Sequence, residues 1–436
     1  MDKSAKIFAT IHRTNLPSFK DVPKDESQTA GINFTSKTTQ KDIARATRDL
    51  KIAELRGMSL ADILSHDVLN TSPLFAGDIS SHAGKHTLVS ELEDITPDKH
   101  EFDSTDPNPK AVVVDMLSVL RQMNMSHFKS MGDLIISMVN KAVYVGRNVV
   151  SIHFIRDSYT EFSLKEADRL KRKGDTAGLD IIDMKYDTPT PKQADKFWNS
   201  EKSKINILDL ACNVILQVNH KYPTCSFSVS GCVIDNESVS AKVGDHLIPE
   251  LNSYTEEADQ RLVYHIDYIT RHEKIRKVIL LSNDADTFAQ VLRYMDEWTR
   301  AGLTELWQKY GHPPRMVPVH SIYSQIGPAV SRNIIKAHII TGNDVLSKIG
   351  SKKCAVSSDY LQYLSNLGET TRIPSPQDLQ LAENYLVQCW IGLASKTLCT
   401  TFDDLRLERY TSGENLIVLL KDSNFHCNSC LKTNYV

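Results

Sequence analysis

The sequence predicts an α/β fold, a parallel sheet with helices on both faces. Three runs rich in β-branched residues read as strands buried on both sides: AVVVD at 111–115, NVVSIHFIRD at 148–157 and KVILLSNDAD at 277–286. Helix-period segments separate and follow them, as alternating strand and helix requires. Each run also ends on an acid, and a parallel sheet collects such ends along one edge.

In chain order, 41–56 (KDIARATRDLKIAELR) reads as a helix, with Ser59 as a cap for the next turn. Residues 97–110 carry several prolines and many charges and suit a boundary. After the strand at 111–115, Leu134/Ile135, Met138/Val139 and Ala142/Val143 mark a helix. SLKEADRLKRKGD, after Asp157, reads as a basic helix, and the polar stretch 175–200 as a mobile segment. Residues 204–218 read as a helix, and 226–243 alternate as a strand pair turning near Asp235-Asn236. Residues 255–271 open with acids and continue as an amphipathic helix through Leu262, Ile266 and Ile269. The strand at 277–281 leads into a helix on Phe288, Val291/Leu292 and Met295. SRNIIKAHIITGND is a helix or strand ending in an acidic turn before a Gly/Lys loop.

This pattern divides the chain into an accessory region at 1–110, a domain at 111–360 with an insertion or arch at 175–250, and a helical extension at 361–436. With 436 residues, 41% of them hydrophobic and a formal net charge of −3, the chain can bury a core and is not a globally basic coat. No apolar run approaches the ~20 residues of a membrane span, and the N-terminus lacks a signal-peptide core. Eight cysteines spread this thinly argue against a disulfide framework and for an intracellular setting, nucleus or cytoplasm. Cys427 and Cys430 form half of a zinc-site pattern without a second pair. The sequence holds no internal repeat, no HExxH, no GxSxG and no Gly-rich phosphate loop.

The acids are the strongest signal. Apolar segments end at Asp115, Asp157, Asp284/Asp286 and Asp344, and a helix opens with Glu256, Glu257 and Asp259. Singly, each reads as an ordinary helix cap or a charged first turn. If the strands share a sheet, the carboxylates meet in one crevice, where they repel unless cations neutralise them. Carboxylates alone favour Mg²⁺ or Mn²⁺ over zinc, and a pair of ions about 3.5–4 Å apart suits phosphodiester cleavage.

The ordered series VVVD (Asp115), HFIRD (Asp157), EEAD (Glu257, Asp259), SNDAD (Asp284, Asp286) and TGND (Asp344) resembles the flap endonuclease/XPG group of 5′ nucleases, within the wider PIN-like fold. Wording such as EEADQRLVYH and TGNDVLSKIG is closer still to a group of animal PIN-like proteins of uncharacterised function. The resemblance covers roughly residues 111–360. It implies a PIN-like sheet and a structure-dependent nuclease acting on DNA or RNA. It also implies a two-ion Mg²⁺ or Mn²⁺ site on those seven acids, with Lys165 and Arg172 steadying the phosphate. Lys165, Arg169 and Arg172 of the basic helix, and Lys348, Lys352 and Lys353 after TGND, are its expected nucleic-acid contacts; as plain sequence, both runs also read as solvated surface. The chain departs from the family in carrying Asp259 where Glu is usual, a long segment before Asp115, and a long interval between Asp157 and Glu257. Two other readings stay open: a non-catalytic PIN-like binding or scaffold protein, and a haloacid-dehalogenase-type phosphatase with Asp284 as nucleophile and Asp286 as general acid.

Overall fold

A run such as Ala-Val-Val-Val needs apolar cover on both faces, and the fold supplies it from two helical layers. The structure, a computed structural model, describes residues 86–96, 101–158, 178–234, 238–244, 246–253, 255–341, 352–357, 360–366, 374–391 and 400–401, all within one unit. Helix α1 (His86–Asp94) precedes β1 (Lys110–Asp115), and α2 (Met116–Arg121) and α3 (Met131–Val143) lead to β2 (Val149–Ile155). Helices α4 (Ala194–Asn199) and α5 (Glu201–Val218) lead to β3 (Ser226–Ile234), β4 (Ser238–Val243) and β5 (His246–Leu247). Next come α6 (Ala258–Tyr268), β6 (Lys277–Leu281), α7 (Ala285–Ala301), β7 (Glu305–Tyr310) and β8 (Arg315–Pro318). Helices α8 (Val319–Ile340), α9 (Lys352–Ser357) and α10 (Pro376–Ile391) follow.

One sheet holds all eight strands in the order β5-β4-β3-β2-β1-β6-β7-β8. Its centre, β3 to β7, is parallel, and β4, β5 and β8 add antiparallel edges. Alternation divides the strand residues between the faces. Val112, Val114, Ile152, Phe154, Phe227 and Ile279 pack against α3, α4 and α5. Ala111, Val113, Val278, Leu280 and Leu306 pack against α1, α6, α7 and α8. From β1 the chain winds outward to β2 and β3 under the first layer; from β6 it winds the other way to β7 under the second. The order therefore reverses between β1 and β6, the place where sheets of this kind offer a crevice at the carboxyl ends of their strands.

The α/β sheet, the strands at 111–115, 149–155 and 277–281, the helices expected at 134–143, 204–218 and 255–271, and the 226–243 strand pair are present. Several expectations are corrected. The stretch 175–200 is not a loose linker where it is described: residues 178–200 include α4, whose Phe197 and Trp198 are buried, and Pro189 bridges to Ser130. The region assigned to an arch contributes β3, which pairs directly with β2. Part of the N-terminal accessory region is core, since Leu88, Val89 and Leu92 of α1 lie under the sheet. Lys110, at the expected boundary, is buried and donates to the carbonyls of Asp106, Asn108 and Arg147. Strands β7 and β8 were not anticipated. Helix α10 of the C-terminal extension packs on α8 and α9 through Tyr385, Ala382, Ala337 and Ala355. The helix expected at 41–56, the Ser59 cap and the basic helix lie outside the described residues, as does the Cys427/Cys430 pair. Among the described residues, no helix is long and apolar enough to cross a membrane.

Past Ile155, the ends of β2 and β3 are joined at a bulge. The β3–β4 register shifts between Ser230 and Cys232, and Gly231 sits there at φ +96°. Arg156 N donates to Ser230 O at 3.0 Å, and Ser158 Oγ donates to Gly231 O at 2.9 Å. A Cβ on Gly231 would lie 2.4 Å from Arg156 O, a backbone atom that cannot swing aside. Gly231→Ala is therefore expected to cost more than the ~1–2 kcal/mol of the left-handed conformation alone. Gly244, at φ +57° with open space around it, is the control, and Gly244→Ala should cost only that conformational term. Urea unfolding of both variants checks the difference.

Candidate functional site

The crevice between β1 and β6 is lined by carboxylates, and the local sequence explains each placement. Asp115 closes β1 and caps α2, its Oδ1 accepting from Ser118 N at 2.9 Å. Asp157 lies just beyond β2 and reaches across the chain to the start of α6, where its Oδ1 accepts from Ala258 N at 2.8 Å. Asp284 caps α7, its Oδ1 accepting from Asp286 N at 2.8 Å. Three strand ends thus deliver three carboxylates to three helix N-termini, whose amides and dipoles favour negative charge.

The other acids enter from the first turns of the same helices. Glu257 is the N-cap residue of α6, without a side-chain cap bond, and Asp259 lies one step into that helix. Thr287 Oγ1, on α7, donates to Asp259 Oδ1 at 2.7 Å and ties the two helix starts together. Asp286 Oδ1 lies 2.5 Å from Nε2 of His338, a buried residue near the end of α8. Gln308 on β7 donates from Nε2 to the carbonyls of both Ser282 and Asp284, at 3.1 Å each, and so fixes the strand end that carries Asp284. Ser282 Oγ in turn donates to Asp115 Oδ2 at 3.4 Å.

Arg261, one turn into α6, is almost fully buried. It donates from Nη2 to the carbonyls of Ser253 and Thr255, at 3.2 and 2.5 Å, and holds the approach to Glu257 in place. Burial pulls its guanidinium down to about 10, against the opposing charges of Cys232 and Asp157.

The acids act on one another. Burial holds the Asp115 carboxyl well above its usual value, and the charges of Asp259, Asp157 and Asp284 push in the same direction. Asp259 is raised to about 6 by burial and by Asp284, against the lowering pull of the Thr287 hydroxyl. Five of the seven predicted acids therefore share one electrostatic neighbourhood: Asp115, Asp157, Asp259, Asp284 and Asp286. Glu257 stands beside them at the α6 start. Asp344, Lys165, Arg169, Arg172 and Lys348 lie outside the described residues; Lys352 and Lys353 open α9, and Lys353 is exposed.

An all-oxygen donor set under mutual repulsion suits a hard divalent cation in chemistry. The side chains do not stand in a closed ligand shell. Among the described residues, no group of three His, Cys, Asp or Glu could hold a metal ion as placed. Each of the five carboxylates has an oxygen drawn to a backbone amide, a hydroxyl or an imidazole instead. His338 and Gln308 escaped the sequence reading. A histidine near the end of a mixed polar and apolar helix and a glutamine in a short strand have no partner spacing to reveal them.

No family model, no curated protein and no solved structure matches the chain.

Asp259 binds its proton more tightly in the folded chain, about 6, than at its ordinary 3.8. Its contribution to stability is therefore complete below about 3.8 and is lost as pH rises through about 6. The raised Asp115 acts with the same sign. In chelator, the melting temperature is expected to fall as pH rises from about 3.8 through about 6. Asp115→Asn with Asp259→Asn should flatten that decline, and thermal melts across this range check it.

Proposed function

We propose that the chain is a metal-dependent phosphodiesterase, a structure-dependent nuclease on DNA or RNA. The observation that carries this reading is the gathering of five mutually repelling carboxylates at the reversal point of a parallel sheet. The resemblance of the acid series to flap endonuclease-type and PIN-like proteins supplies the substrate class.

On this reading Asp115, Asp157, Glu257, Asp259, Asp284 and Asp286 would hold Mg²⁺ or Mn²⁺, with Asp344 as the seventh acid. Such ions, when bound, supply positive charge that polarises a phosphodiester and acidifies water. The protein's own part is positional. The caps at Asp115 and Asp284 set the direction of two carboxylates. The Thr287 hydroxyl orients Asp259, the His338 ring orients Asp286, and Gln308 braces the strand end between them. Lys165 and Arg172, by the resemblance, would steady the scissile phosphate, and the lysines after Asp344 would hold duplex backbone.

The phosphatase alternative asks Asp284 to attack phosphorus and Asp286 to donate a proton. It has less support here, because Asp284 is engaged as a helix cap and Asp286 stands against an imidazole. A binding or scaffold protein shares the geometry and differs only in turnover.

End-labelled single-stranded, duplex, flap and hairpin DNA and RNA, incubated with the protein and Mg²⁺ or Mn²⁺, test the proposal. Metal-dependent cleavage is expected, and Asp284→Asn with Asp286→Asn should reduce it at least ~100-fold. Absence of cleavage on every substrate with either ion, from folded protein, contradicts it and leaves the binding reading. Covalent trapping of phosphate on Asp284 would instead establish the phosphatase.

A further inference from the structure

On the sheet face away from α6, two thiols meet. Cys212 lies on α5 and Cys232 on β3, in the same apolar cluster. Strand alternation would send them apart: Phe227 and Val229 face α5, while Ser228 and Ser230 face α6, so an unbroken strand would turn Cys232 toward α6 with the serines. The bulge between Ser230 and Cys232 shifts the alternation by one residue and turns Cys232 back toward α5. Cys212, Cys232 and the Arg156 guanidinium lie close enough to act on one another's charge, Arg156 packing against the bulge at Gly231. Arg156 is itself ion-paired to Asp209, one turn before Cys212 on α5. Both cysteines are free; Cys212 is buried and Cys232 half-buried.

We infer that Cys212 and Cys232 form a peroxide-reactive dithiol, with Cys232 as the attacking sulfur and Cys212 as the resolving one. The roles follow from placement. Cys232 is the more accessible sulfur and lies beside Cys212, in the field of Arg156 and Lys242. These neighbours pull its thiol down to about 7, whereas Cys232 and burial hold the Cys212 thiol well up. A thiolate, not a thiol, is the nucleophile. Cys225, buried at the opposite end of β3 and pushed up to about 12, is an internal control without that setting.

The chemistry balances with hydrogen peroxide as oxidant. The Cys232 sulfur attacks one peroxide oxygen, the O–O bond breaks, and the leaving hydroxide takes up a proton as water. Cys232 becomes a sulfenic acid. The Cys212 sulfur then attacks Cys232, an S–S bond forms, the S–O bond breaks, and the second hydroxide leaves as water with the Cys212 proton. Two thiols lose two electrons and two protons, and one peroxide becomes two waters. Arg156 Nε also donates to Asp157 O at 3.2 Å, so the oxidised pair lies next to the carbonyl of an acid that lines the crevice.

The test treats reduced full-length protein with hydrogen peroxide at neutral pH, blocks the remaining thiols, and maps every cysteine by mass spectrometry. Cleavage with trypsin and chymotrypsin separates Cys225 from Cys232 at Phe227. The expected result is a Cys212–Cys232 link as the first product, with Cys225 still reduced. Cys212→Ser should leave Cys232 as a sulfenic acid that a dimedone probe traps. Arg156→Gln should slow the link about tenfold at pH 7, through a smaller thiolate fraction. Oxidation confined to other cysteines, or Cys232 oxidised beyond sulfenic acid without a link in the wild-type chain, overturns the inference. The wild-type map alone decides, should either variant fail to fold.

Discussion

Three carboxylates, each tied to the first amides of a helix, set the geometry of this fold's carboxyl edge. Asp115, Asp157 and Asp284 each satisfy a helix start that would otherwise face the crevice with unpaired N–H groups. The bonds fix the directions of α2, α6 and α7 and bring their N-termini together where the sheet order reverses. The positive ends of the helices offset part of the repulsion among the acids.

Capping explains one oxygen of each of these residues, but not the whole arrangement. A cap needs no second acid within its field, yet Asp259 acts on Asp115 and is itself acted on by Asp284, Asp157 and Asp286. Nor does a cap need the burial that lifts Asp115. Asp259 caps nothing; it is held by Thr287 from the neighbouring helix. A protein that needed only helix ends would be more stable with asparagine or serine at several of these positions. The retained charge is what a bound cation would use.

The central strands were legible because burial on both faces demands continuous β-branched runs, which few other structures require. The acids were legible because strand ends and helix starts abut in sequence. Other parts were not. Strand β7, ELWQKY, lacks β-branched residues and alternates too briefly to stand out, and β8 reads as a proline-bearing loop. Phe197 and Trp198 disappear in a polar stretch, although their burial makes α4 part of the core. Contacts across elements left no trace in spacing: His338 meets Asp286 across 52 positions. The Cys212–Cys232 pair depends on a bulge that reverses the facing of one residue.

The central claim is that these carboxylates form a cation site whose repulsion a metal relieves. Calorimetric titration of the full chain with Mn²⁺ near pH 6, in two buffers of different ionisation enthalpy, tests it most directly. Asp259 is raised to about 6, so part of the population carries a proton that the metal must displace. The account predicts saturable binding with release of protons, and loss of both in Asp115→Asn with Asp259→Asn. No binding to the wild-type chain, or equal binding by the variant, would contradict it.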